Sequence, residues 1–346
     1  MTLSTKPGLS RSWVGARGWL LVLGLTTACG ARTGLEAQRT KPSEADAAPF
    51  TPGATRAVLF GGRGDVIGGL GETSILSDTW IWNGTSWASL DVTGPSARSD
   101  AAMASLGGVP VLFGGINFGS NLGDTWTWDG ASWTSLNVPG PSARAGAMMA
   151  PLDGTLLLFS GVKDPGIGLL EDSWTWNGAS WRELTALGPG GRTFATMSPL
   201  DGDLVLEGGI GLPSPPGPPF PNPGTWGWDG TSWTRVTVAG PSLSGAVIAP
   251  LQGKLVLYGG SDNGTGQALS DTWTWDGASW TELDVTGPPA RHNAVMAPVN
   301  GVLVLFGGED GNGGLLSDTW TWDGLSWMQI MVAGPPARTE AVMASM

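Results

Sequence analysis

Reactive side chains are scarce in this sequence. Its 346 residues hold one cysteine (Cys29), one histidine (His292) and one tyrosine (Tyr258), and only 13% are charged. A single cysteine excludes an internal disulfide framework. Zinc sites and a Ser-His-Asp triad would both have to use His292, which stands beside Arg291 in a repeated position, so neither chemistry is expected. Cations are few: 17 Lys and Arg against 29 Asp and Glu give a net charge of −12. An acidic body is poorly suited to neutralising phosphates, so nucleic acid is not an expected partner.

Long hydrophobic runs are also missing. The apolar stretch from Trp19 to Leu25 is too short to span a bilayer as a helix. Lys6, Arg11 and Arg17 precede it and small residues follow, the pattern of an export signal over residues 1–28. Leu25-Thr26-Thr27-Ala28-Cys29-Gly30 resembles a bacterial lipobox, although Thr26 stands where leucine is usual. The resemblance implies lipidation of Cys29, and Gly30 at the sorting position implies the outer membrane. Residues 29–53 lack periodicity and are rich in Ala, Pro, Thr and charge, as expected of a flexible tether. Membrane contact is expected only through the lipid anchor.

Glycine (57), proline (26) and tryptophan (20) are abundant instead. The segment Asp271–Trp280, DTWTWDGASW, recurs from Asp78, Asp124, Asp172, Gly224 and Asp318, at separations of 46, 48, 52, 47 and 47 residues. Periods of this length indicate a radial or stacked array. Trp273 and Trp275 share one face of an extended strand. Asp276-Gly277 signals a tight turn, and Trp280 lies on the returning strand. A two-residue turn sets Trp280 opposite Trp273; a four-residue turn sets it opposite Trp275. A lone hairpin is marginal, so the tryptophans need a neighbouring repeat to pack on. Each buries on the order of 200 Å², which at ~25 cal/mol per Å² stabilises by up to roughly 5 kcal/mol.

A full unit, taken from Ala290, reads as four strands. Strand a is ARHNAVMAPV; Asn300-Gly301 turns into strand b, VLVLFGG. A loop leads to strand c, DTWTW, and Asp323-Gly324 turns into strand d, LSWMQIMV. A di-glycine closing a hydrophobic strand, then about a dozen residues, then paired aromatics on a hairpin resembles the kelch repeat. The resemblance covers about 85% of the chain and departs at the first hairpin aromatic, Trp where Tyr is common. It implies an all-β fold: a six-bladed kelch-type β-propeller over residues 54–346, with four-stranded blades. The N-terminal piece supplies strands b, c and d; residues 337–346 supply the missing a. One blade shared by both chain ends closes the ring and removes the open edge.

Strand direction alternates, so the b–c loops and the d–a loops lie on one face. Five arginines recur at the start of strand a: Arg98, Arg144, Arg192, Arg291 and Arg338, with Ser244 at the sixth such position. In kelch propellers that hold acidic peptides, arginines at this phase line the pocket, which implies an anion or carboxylate site. Alternatively each pairs with the repeat aspartate twenty residues before it, on the adjacent blade: Asp78, Asp124, Asp172, Asp271 or Asp318. Gly224 and Ser244, where both are lost together, favour that pairing. A proline-rich stretch over 210–224, IGLPSPPGPPFPNPG, reads either as a docking element or as a tolerated insertion. Arg63-Gly64-Asp65 spells an adhesion tripeptide in a loop, a frequent coincidence.

Galactose oxidase carries a kelch-like propeller, but its copper site takes two tyrosines, two histidines and a Tyr–Cys crosslink, which this inventory excludes. No catalytic residue, cofactor or metal site is singled out. The expectation is a monomeric, non-catalytic binding module at a bacterial cell envelope, taking a protein, peptide or glycan ligand near the channel mouth. The alternative is a carbohydrate-active or other propeller enzyme using acids of the same face.

Overall fold

The computed structural model describes residues 55–65, 73–163, 168–186, 188–211, 220–221 and 224–346. The export signal, Cys29, the tether and most of the proline-rich stretch lie outside the described residues. Among those described, regular structure is all strand, arranged as a six-bladed β-propeller of antiparallel four-stranded sheets. Blade two runs a (Ala102–Leu106), b (Val109–Phe113), c (Thr125–Trp128), d (Trp133–Leu136). Blades three to six repeat this order from strands a at Met148–Leu152, Thr196–Leu200, Val247–Leu251 and Val295–Val299.

Blade one is shared by the two ends of the chain. Its strand b, Ala57–Asp65, pairs with c, Thr73–Trp82, on one side. On the other side it pairs with Val342–Ser345 as strand a, in register Ala57↔Ser345 to Phe60↔Val342. Arg63-Gly64-Asp65 lies in this strand, not in a loop, and Arg63 and Gly64 pair with Thr339 and Arg338. In every blade strand a is the inner edge. Pro151, Pro199, Pro250 and Pro298 therefore sit there without breaking a ladder between two strands.

The hairpin register is the four-residue one: Trp82↔Trp87, Trp128↔Trp133 and Trp275↔Trp280 are paired. The turn's first residue sets it. Asn83 Oδ1 accepts bonds from the backbone N–H of Thr85 and Ser86, both at 2.9 Å. Asp129, Asn177, Asp229, Asp276 and Asp323 do the same in the other blades. A short side-chain acceptor thus replaces a two-residue turn.

The core lies in the six seams between blades. The second tryptophan of each hairpin is at most 2% exposed and the third 7–8%. The two rings tilt against each other with centroids 5.2–5.3 Å apart. In five seams the third also packs on an aromatic of strand b of the preceding blade, edge-on in four, as in Phe60–Trp133 at 5.4 Å and Phe306–Trp87 at 5.2 Å. Its indole N–H donates to a threonine of that preceding blade: Trp87 to Thr319, Trp133 to Thr79, Trp181 to Thr125, Trp280 to Thr225 and Trp327 to Thr272, at 2.8–3.0 Å.

The seam between blades three and four departs from this. The threonine position is Ser173, and both its hydroxyl and the Trp233 indole N–H are buried without a hydrogen-bond partner. Ser173→Thr restricts the hydroxyl rotamer and should restore the bond. We expect a gain of about 1 kcal/mol, which thermal unfolding would read as a rise in Tm of about 2 °C.

Candidate binding site at the channel mouth

The repeated arginines lie beneath the mouth face with their side chains at most 1% exposed. Arg98 Nη1 and Nη2 donate to Asp124 Oδ1 and Oδ2 at 2.6 and 2.9 Å. Its remaining N–H groups donate to the carbonyls of Ser96 and Gly114 and to the Ser96 hydroxyl. All five donors are therefore used. Arg144 repeats the set with Asp172, Ser142 and Ser160. Arg291 pairs with Asp318 and Arg338 with Asp78.

The Arg–Asp pairing expected from the sequence exists, but its partners differ. Arg98, Arg144, Arg291 and Arg338 each bond the aspartate of their own blade, 26–28 residues further along in blades two, three and six. None bonds the aspartate twenty residues before it. The sixth arginine position is also not Ser244 but Leu243, whose carbonyl accepts from Gly209 N as the arginine carbonyls accept from the other di-glycines. In blade four, which carries Arg192, Gly224 takes the aspartate position, and Asp271 keeps its place in a blade that has Leu243 for arginine.

Each clasping aspartate also accepts from the indole two residues on, for example Trp126 to Asp124 at 2.7 Å. Burial works against ionisation of Asp78, Asp124, Asp172 and Asp318. The arginine bond and charge, together with the indole, outweigh it and hold these carboxyls below the usual range.

Blade four carries a second departure. The residue ending strand b is Phe60, Phe113, Phe159, Tyr258 or Phe306 elsewhere, but Glu207 here. Glu207 is 2% exposed and accepts from Thr225 Oγ1 at 2.6 Å, the hydroxyl that also takes the Trp280 indole N–H. Burial pushes its carboxyl up to about 7, against the pull of the Thr225 bond and of Arg192. Burial lowers Arg192 to about 10, and the Glu207 charge opposes that. The broken run of aromatics was the available signal for this residue.

Two residues beyond each arginine position, the six blades place Asp100, Gly146, Phe194, Gly245, Asn293 and Glu340. All six have left-handed backbones, φ 52–65°. Their amides join neighbouring blades: Asp100 N to Glu340 O, Gly146 N to Asp100 O, Gly245 N to Phe194 O, Asn293 N to Gly245 O and Glu340 N to Asn293 O, at 2.7–3.1 Å. This necklace rims a cavity of about 130 Å³ at the channel mouth. The alanine following each ring residue is held by the di-glycine: a Cβ on Gly62 would lie 2.9 Å from that of Ala341.

Two acids, Asp100 and Glu340, and the more exposed Arg63 meet at the mouth. Arg63 Nη1 reaches Glu340 Oε1 at 3.1 Å. Burial raises the Asp100 carboxyl well above its usual range, and the charge and hydrogen bond of Glu340 add to that; Arg63 only partly offsets it. These mouth residues escaped the sequence reading because they differ from repeat to repeat; their fixed offset from the arginines was the usable signal. Among the described residues no three His, Cys, Asp or Glu side chains converge as a metal-binding group.

Comparison of the chain with protein-family models and with curated proteins returned no match. Architecture therefore defines the class: a closed six-bladed β-propeller, a fold that commonly serves as a binding scaffold.

Two pH effects of opposite sign follow. The clasping aspartates have folded pKa values below the unfolded one, so their contribution is present above about pH 4 and is lost as pH falls through the folded value. Asp172→Asn should cost about 3 kcal/mol at pH 7 by leaving Arg144 buried without its partner. Urea unfolding should show that deficit shrinking towards pH 2. Glu207 is raised, so its contribution is full below its unfolded value and is lost as pH rises through about 7. Stability should drop between pH 5 and 8 by on the order of 1–3 kcal/mol, and Glu207→Gln should remove that slope.

Proposed function

We propose that this chain is a non-catalytic binding module, a kelch-type propeller displayed at a bacterial cell envelope through a lipid on Cys29. Its ligand, a protein, peptide or glycan, sits on the face of the b–c and d–a loops, at the channel mouth. The observation that carries this reading is the necklace of six left-handed residues. Phe194 and Glu340 hold a backbone that costs about 1–3 kcal/mol in such residues. That strain is maintained by bonds to the neighbouring blades, and it aligns variable side chains around one cavity.

Phe118 adds an apolar contact, 83% exposed in the b–c loop of blade two, between Ile116–Asn117 and Ser120–Asn121. The five arginines serve the site from behind, by anchoring the loops that surround it. A carboxylate-binding role for them requires the clasps to open.

The acid pair supports binding over glycoside hydrolysis. Asp100 and Glu340 are ring neighbours joined through Asp100 N and Glu340 O, and the Glu340 carboxylate is near enough to raise that of Asp100, whereas hydrolytic carboxylates flank a sugar at about 5 Å or more.

The test is a screen of the purified chain against peptide and glycan arrays, with hits quantified by calorimetry. Asn293→Gly, which keeps the left-handed backbone, combined with Glu340→Gln, which keeps the side chain's shape, should raise Kd at least tenfold while Tm falls by no more than a few degrees. A hit whose affinity is untouched by that pair of changes removes the ligand from the mouth.

A further inference from the structure

The channel below the mouth carries an independent feature. The second residue of every strand a lies at one level: Met103, Met149, Met197, Ile248, Met296 and Met343. These residues line both a cavity of about 180 Å³ on the mouth side and one of about 200 Å³ beyond it. They form the waist between the two. In ring order the five methionines are consecutive, and Ile248 fills the remaining place.

Neighbouring strands a are drawn together at both ends of this level. Asp100 N bonds Glu340 O above it, and the Ser105 hydroxyl donates to the Ser345 carbonyl below it. The side chains are partly shared with the seams, since Met149, Met197 and Met343 are only 8–9% exposed. Packing does not by itself select methionine here. Ile248 shows that a branched aliphatic fits the level.

What five adjacent thioethers offer, and valine or leucine would not, is a set of neutral soft donors. Thioether sulfur suits Cu(I), while zinc and hard cations prefer nitrogen, thiolate or oxygen. We propose that the methionine waist binds a soft monovalent coinage-metal cation, Cu(I), through thioethers of adjacent blades. The net charge of −12 on the chain favours approach of a cation. This site does not depend on the ligand reading of the mouth.

The experiment uses the full chain carrying Cys29→Ser, which removes its only thiol, in chloride-free buffer. Ag(I) is titrated by calorimetry, and Cu(I) is measured anaerobically in competition with bicinchoninate. One ion per chain is expected, with NMR shifts in the methyl signals of the waist methionines but not of exposed Met328 and Met331. Met103→Leu with Met149→Leu, close to volume-conserving, should weaken binding at least tenfold while Tm falls by no more than a few degrees. Ile248→Met, which completes the ring, should tighten binding. The proposal is overturned by absence of binding, by shifts confined to Met328 and Met331, or by affinity indifferent to the double leucine change. If the double variant does not fold, Ile248→Met decides: unchanged affinity in that variant equally overturns it.

Discussion

The last indole of each hairpin is what the ring depends on. It tilts against its hairpin partner, packs on the preceding blade's strand-b aromatic in five seams, edge-on in four of them, and donates a hydrogen bond to a threonine of that blade in five. The strongest apolar contacts of each sheet are therefore made with its neighbour. A four-stranded blade alone would leave its tryptophans without a second wall, so repeats are stable only as an array. Closing the array needs every seam, including the one where Trp87 of blade one meets Phe306 of blade six. Strand a of blade one, drawn from the C-terminus, ties the two chain ends into the same sheet.

A second repeated device governs the mouth face. The arginine clasp joins the start of strand a to the start of strand c within one blade, and its spare donors hold backbone carbonyls of the surrounding loops. It ties loops down from beneath, where water does not reach the guanidinium. Blades four and five interrupt it. Gly224 removes the carboxylate that would meet Arg192, and a buried carboxylate, Glu207, enters from the strand-b aromatic position instead. Charge near Arg192 is kept, but the edge-on ring contact with Trp280 is lost. The proline-rich sequence also falls between strands b and c of this blade.

Much of this architecture was legible because it is repeated. Tryptophan spacing predicted the blade count, and the missing first strand with its C-terminal surplus predicted the closure. The hairpin register was not legible from Asp276-Gly277 alone: the deciding bonds run from the residue 278 and 279 amides to the Asp276 side chain, a local choice the dipeptide leaves open. The arginine partners misled for a related reason. A constant separation of twenty residues is real in the chain, but the guanidinium reaches across its own sheet. The apparent joint loss at Gly224 and Ser244 arose from a one-residue offset, since Leu243 is the true counterpart.

The mouth was hidden by the habit of looking for what repeats share. Here the shared residues explain why the neighbouring ones are free to differ. The di-glycine presses on the alanine after each ring residue, the arginine position before it anchors to the loop, and the amide necklace fixes the backbone between. With three constraints on the chain and none on the side chain, aspartate, glycine, phenylalanine, asparagine and glutamate occupy one geometry. Such a site can change specificity without changing the scaffold, because the packing that stabilises the ring lies in the seams and not at its rim.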